Sequence, residues 1–84
     1  MQIVWQPKAI KQLKKLGNQQ ASERIVQAVK SLADYPTVSG LKALTHHEYT
    51  HRLRVGEYRV LLNIHQEIEI TNVEEVKKRD ERTY

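Results

Sequence analysis

The stretch His51-Arg52-Leu53-Arg54-Val55-Gly56-Glu57-Tyr58-Arg59-Val60-Leu61-Leu62 decides the fold. It reads as two short strands joined by the two-residue turn Gly56-Glu57. Glycine at the first central position marks a type II′ turn, whose positive φ there is free of strain only for glycine. Such a turn sets Val55 opposite Tyr58. The pairing then runs back through Arg54/Arg59, Leu53/Val60, Arg52/Leu61 and His51/Leu62. Side chains alternate along a strand, and cross-strand partners share a face. Leu53, Val55, Tyr58, Val60 and Leu62, with Tyr49 and Ile64, therefore make an apolar face. Arg52, Arg54 and Arg59 lie on the other.

That placement opposes the hairpin, because like charges directly across two strands weaken it by roughly 0.2–1 kcal/mol. A planar guanidinium matches phosphate oxygens two at a time, so three of them on one patch read as an anion site. In the alternative reading the arginines pair with Glu48, Glu67 or Glu69 on adjacent strands. The hairpin alone leaves both open.

The chain has 84 residues, with 39% hydrophobic side chains, one Trp, no Phe and no Cys. This length is that of one domain, residues 1–84, which buries only about 60–65% of its extended surface. The core is expected from Leu, Ile, Val and tyrosines, with neither disulfides nor zinc–thiolate sites. No signal-peptide run opens the chain, and no segment approaches the eighteen or so apolar residues of a membrane span. A cytoplasmic protein without membrane association is expected. The net charge of +4 favours an acidic partner such as nucleic acid or a ribosomal surface.

Outward from the hairpin, Ile3-Val4-Trp5 reads as a first strand, and Pro7 suits the first turn of a helix. Ala9, Ile10, Leu13 and Leu16 recur at helical spacing. Lys8, Lys11, Lys14 and Lys15 fill the remaining faces, either as plain solvation or as a footprint for a phosphate backbone. Gly17-Asn18 stops this helix. A second is expected over 19–33, with Ala21, Ile25, Ala28, Val29 and Leu32 on one side, ended by Asp34-Tyr35-Pro36. So short a link makes the two helices an antiparallel hairpin. Residues 37–48 read as a loop that Leu41 and Leu44 anchor to the core. His46, His47 and His51 show no recognised metal-ligand spacing, so no metal site is expected. His51 falls on the apolar face and reads as a partly buried, hydrogen-bonded histidine. Residues 63–66 read as a turn, and the alternation of 67–73 as a half-buried strand that turns Ile68 and Ile70 to the core. By composition the charged tail, 77–84, is a frayed terminus. The expected class is α+β, in the order β-α-α-β-β-β, a helical hairpin packed on a small, mainly antiparallel sheet.

This order, the His51–Leu61 hairpin, the helix ending Lys14-Lys15-Leu16-Gly17 and the tail Lys78-Arg79-Asp80-Glu81-Arg82-Thr83-Tyr84 resemble the RelE/ParE superfamily of toxins from bacterial toxin–antitoxin modules. The resemblance spans essentially the whole chain. It implies a RelE-like toxin that cuts mRNA in the ribosomal A site without metal or cofactor, or alternatively a ParE-like inhibitor of DNA gyrase. The tail favours the RelE type, which carries a basic residue on its last strand and a tyrosine just after it. By that resemblance Arg59 matches the phosphate-binding arginine, and Arg79 and Tyr84 match the tail pair, with Arg82 able to share the role of Arg79. Arg52 and Thr50 fall where RelE has catalytic lysines. Both are departures, and arginine is a poor base because its pKa stays above about 12. His46, His47 and Glu48 are then the candidate acid–base groups. Arg54, Arg82, Lys11, Lys14 and Lys15 are candidates for RNA or rRNA contact. The implied partners are a cognate antitoxin and the 70S ribosome with its mRNA.

Overall fold

The computed structural model describes residues 1–78. Five strands form one sheet: β1 (Gln2–Trp5), β2 (Leu41–Ala43), β3 (His51–Val55), β4 (Tyr58–His65) and β5 (Ile70–Lys78). Their order is β1-β5-β4-β3-β2. β1 runs parallel to β5, from Gln2 beside Ile70 to Trp5 beside Val73. The other pairings are antiparallel. Two helices, α1 (Pro7–Lys15) and α2 (Gln19–Lys30), connect the first two strands, followed by a 3₁₀ turn at Ser31–Asp34.

Local chemistry explains the helix ends. Pro7 opens α1, where a missing N–H leaves nothing unsatisfied. Lys14 and Lys15 close it, where positive charge suits the carbonyl end. Gly17 then takes φ +66°, and the Asn18 side chain caps α2 by accepting from the Ala21 N–H at 3.1 Å. α2 presents Ala21, Ile25 and Val29 to the interior, as its periodicity predicts, but it ends three residues before the expected 33 and tightens into the 3₁₀ turn that carries Leu32.

The core joins Ala9, Ile25, Val29 and Leu32 of the helical side to Leu53, Val60, Leu62, Ile64, Val73 and Val76 of the sheet. Ile10, expected in the α1 stripe, is 38% exposed instead. The β3–β4 hairpin has the predicted register at every pair, and φ is positive at Gly56 but not at Glu57, as a type II′ turn requires.

Three expectations about the strands change as well. Residues 37–48 include the edge strand β2, whose pairing with β3 runs from Leu41 beside Leu53 to Ala43 beside His51. β4 continues to His65 where a turn was expected, and a 3₁₀ turn at Gln66–Ile68 follows. The last strand accordingly begins at Ile70, and Ile68 is 64% exposed rather than turned to the core. β5 also carries a bulge. Leu62 pairs with Val73 but Leu61 with Glu75, leaving Glu74 as the extra residue. Strict alternation after Val73 sends Glu75 into the core and Val76 out. The bulge reverses this, so Val76 packs inside and Glu75 turns to the opposite face, where Lys8 and Gln12 of α1 still reach it. Among the described residues no helix is long and apolar enough to cross a membrane.

Candidate functional site

The face of the sheet away from the helices carries two rows of side chains. One crosses from β2 to β5 as Lys42, Arg52, Leu61 and Glu75. The next crosses β3, β4 and β5 as Arg54, Arg59 and Lys77. Neighbouring strands lie about 4.8 Å apart, so the second row is three cations at strand spacing. Arg54 and Lys77 are exposed, and Arg52 and Arg59 half-buried. Arg52 is steadied by a hydrogen bond from its Nη1 to the Gly40 carbonyl at 3.1 Å. Among the described residues no ion pair joins Arg52 or Arg54 to Glu48, Glu67 or Glu69, so those two arginines are not neutralised in the way the alternative reading required.

The carboxylate on this face is Glu75, only 4% exposed. It accepts from the Tyr49 hydroxyl at 2.6 Å and from Gln12 Nε2 at 3.4 Å. It also pairs with Lys8 at 3.2 Å and Lys77 at 3.6 Å. Burial by itself pushes its carboxyl up. The hydrogen bonds from Tyr49, Lys8 and Gln12, with the Lys77 charge, outweigh burial and hold it down at about 2. The Tyr49 phenol moves far above its ordinary value, first because Glu75 accepts its proton, then through burial and through Glu48. Neither group exchanges a proton near neutral pH. Together they tie the loop before β3 to β5 and, through Gln12, whose Oε1 accepts from the Val76 N–H at 2.7 Å, to α1. Tyr49, expected on the apolar face, thus reaches the open face. Its hydroxyl finds there a charged acceptor that the core cannot offer.

The histidines divide by the atoms around them. His47 Nδ1 lies 3.1 Å from the Tyr49 backbone nitrogen. An amide can only donate, so Nδ1 accepts and the neutral ring carries its hydrogen on Nε2. The one lone pair that His47 offers a proton is therefore occupied, which argues against it as a base. His51 bonds a side chain instead. Its Nδ1 lies 2.8 Å from Thr50 Oγ1, a hydroxyl that already bonds the Leu62 carbonyl at 3.2 Å and the Ile64 N–H at 2.8 Å. That hydroxyl has one hydrogen, for the Leu62 carbonyl or for the ring, so the His51 tautomer sets which of the pair donates. Burial lowers the His51 pKa, and its ring meets Tyr35 edge-on at 6.0 Å, on the helical side of the sheet. Thr50, where the resemblance places a catalytic lysine, is consumed by backbone contacts. His46 sits in the exposed loop at φ 53°.

Lys11, Lys14 and Lys15 are exposed along α1 and belong to the helical layer, not to the arginine rows. Arg79, Arg82 and Tyr84 lie outside the described residues. Among the described residues no three His, Cys, Asp or Glu side chains gather in a way that holds a metal ion. Sequence reasoning missed Lys42, Lys77 and Glu75. The signal for the last two was Val73-Glu74-Glu75-Val76, where two consecutive polar residues break a period of two and announce a bulge.

The site thus lies on the open, basic face of a mixed sheet whose other face carries a helical hairpin. Residues 3–83 match the sequence model of the ParE toxin of the type II toxin–antitoxin system parDE. The chain belongs to that family, within the RelE/ParE superfamily of type II toxins. In structure it is similar to the archaeal RelE–RelB complex from Pyrococcus horikoshii OT3, at TM-score 0.77 and 19% identity, over 95% of this chain and 96% of that one. It is also similar to the isolated E. coli RelE toxin, at TM-score 0.75 and 17% identity, over 94% and 84%. A third likeness is to the YoeB/ParE toxin from Agrobacterium tumefaciens, at TM-score 0.75 and 14% identity, over 95% and 100%. No curated protein matches the chain.

Proposed function

We propose that this toxin is a ribosome-dependent endoribonuclease that cuts mRNA in the A site and so stops translation. The observation that carries the reading is the row Arg54–Arg59–Lys77 beside Arg52 and Lys42 on the open face. It suits a strand of phosphates better than a single anion. In the reaction the 2′-oxygen attacks the adjacent phosphorus. The new O–P bond forms as the P–O5′ bond breaks, leaving a 2′,3′-cyclic phosphate and a 5′-hydroxyl. The 2′-OH proton goes to a base, and the leaving oxygen takes a proton. The chemistry requires no metal or cofactor. It requires alignment and positive charge where the phosphorane builds up.

Arg59 and Arg52 hold the scissile phosphate in this scheme. Arg79 assists the leaving oxygen, and Tyr84 orients a base or the 2′-OH. Glu48 and His46 are the remaining candidates for the proton acceptor. Where neither acts, alignment and charge carry the rate. An antitoxin partner follows from the family and from the complexes its structural relatives form with RelB. An acidic segment that folds over the open face masks the arginines. The site of action is then the cytoplasm.

The family match to ParE favours a second reading, inhibition of DNA gyrase, in which the arginine face binds protein. Induced expression separates the two. The ribonuclease yields mRNA cut at codon positions in ribosome-bound message, and Arg59→Ala lowers cutting about a hundredfold with an unchanged far-UV spectrum. DNA-damage signalling with intact mRNA refutes the ribonuclease and supports the gyrase inhibitor.

A further inference from the structure

The loop before β3 holds an exposed aromatic ring more firmly than a solvated loop requires. The His47 ring is fixed at two points. Its Nδ1 accepts the Tyr49 N–H at 3.1 Å, and its centroid lies 5.7 Å from that of Tyr49 at a tilt of 41°. Tyr49 is fixed in turn by its hydroxyl on Glu75, and Glu75 by Lys8, Gln12 and Lys77. A chain of contacts that begins in α1 thus ends in a solvent-facing imidazole. Tyr49 joins that ring to the open face, where Glu75 stands in line with Arg52 and Lys42.

We infer that His47, backed by Tyr49, is a stacking platform for an unpaired nucleobase of the bound strand, and not the acid or base of the reaction. The inference rests on the RNA reading of the same face. Proteins that hold single strands combine cations along the backbone with aromatic rings beneath the bases. The two rows supply the cations, and His47 the ring. A ring already ordered gives up little further freedom when the base arrives. Its Nε2–H points away from the Tyr49 amide as a donor for a base edge or a phosphate. An acid–base role is disfavoured by the same geometry, since the accepting nitrogen is taken.

The test compares His47→Phe with His47→Ala, both on an exposed loop. Phenylalanine keeps a ring and has no exchangeable proton. The probes are ribosomes programmed with an uncleavable 2′-O-methyl message and the same message as a free single strand, each nucleotide in turn made abasic. Wild type and His47→Phe should bind within about twofold of each other, and His47→Ala about tenfold more weakly. One abasic position should cost wild type about tenfold and leave His47→Ala unaffected. Tyr49→Leu, which removes the backing, should weaken binding at that same base. Phenylalanine no better than alanine overturns the inference. So does an abasic penalty that persists in His47→Ala, an absence of binding to both probes, or a loss confined to an acidic antitoxin peptide. Cutting of unmodified message by wild type reports on the ribonuclease separately. Base-dependent binding without cutting refutes only the ribonuclease, and cutting with a failed phenylalanine variant refutes only the platform.

Discussion

Replacing Glu75 by Gln isolates the charge that anchors the open face. The Glu75 carboxyl sits at about 2 against an ordinary 4.5, held down by Tyr49, Lys8, Gln12 and Lys77. A pKa depressed by folding stabilises the native state above the unfolded value, and this contribution fades as pH falls from about 4.5 through 2. At 1.36 kcal/mol per unit the shift corresponds to about 3 kcal/mol. The ends of Lys8 and Lys77 are 64% and 47% exposed, so water and salt screen part of the attraction. About 2 kcal/mol is the working figure after that discount. Glutamine still accepts the Tyr49 hydroxyl but holds no charge. At pH 7 Glu75→Gln should therefore lower stability by about 2 kcal/mol, or Tm by about 8–16 °C for a chain of this size. Urea melts of both proteins from pH 7 to pH 2.5 give the difference, in which the other carboxylates cancel. The gap should lose more than half its size between pH 5 and pH 3 and close near pH 2. A gap that stays constant over this range refutes the charge argument and leaves Glu75 a matter of shape alone.

Gly40→Ala should be the most damaging glycine substitution. Its Cβ would lie 2.7 Å from the Arg54 carbonyl oxygen at φ +81°, whereas at Gly17 it meets open space. Thermal melts should show a loss above about 2 kcal/mol at Gly40 and about 1 kcal/mol at Gly17. Gly40→Ala should also weaken RNA binding, because the same residue's carbonyl steadies Arg52. Asn18→Ala, which removes the cap of α2, should cost about 1 kcal/mol in urea titration without altering RNA affinity.

The parts legible in the sequence are those whose signal is local. The Gly56 turn sets the β3–β4 register, so Arg52, Arg54 and Arg59 could be placed on one face from the chain alone. Helical spacing found Ile25, Val29 and Leu32 in the same way. β2 escaped because three residues at a sheet edge owe their strand form to β3, not to their own pattern. The last strand was misplaced because residues 67–73 alternate as a strand does, while the real strand hides its period behind Glu74. Tyr49 and Glu75 were illegible as a pair. They stand 26 positions apart, and their meeting depends on the bulge, the loop and α1 at once.

β5 lies inside the sheet, between β1 and β4, and among the described residues it is the last strand. A nascent polypeptide therefore carries β1, both helices and the β3–β4 hairpin before it owns the strand that joins them. Gln2 cannot meet Ile70 until synthesis has passed Ile70. Contacts this distant in sequence are slow to form. Row Arg54–Arg59–Lys77 is likewise incomplete until Lys77 has been added. The basic face is thus finished by the strand synthesised after the hairpin that carries its arginines, not by that hairpin itself.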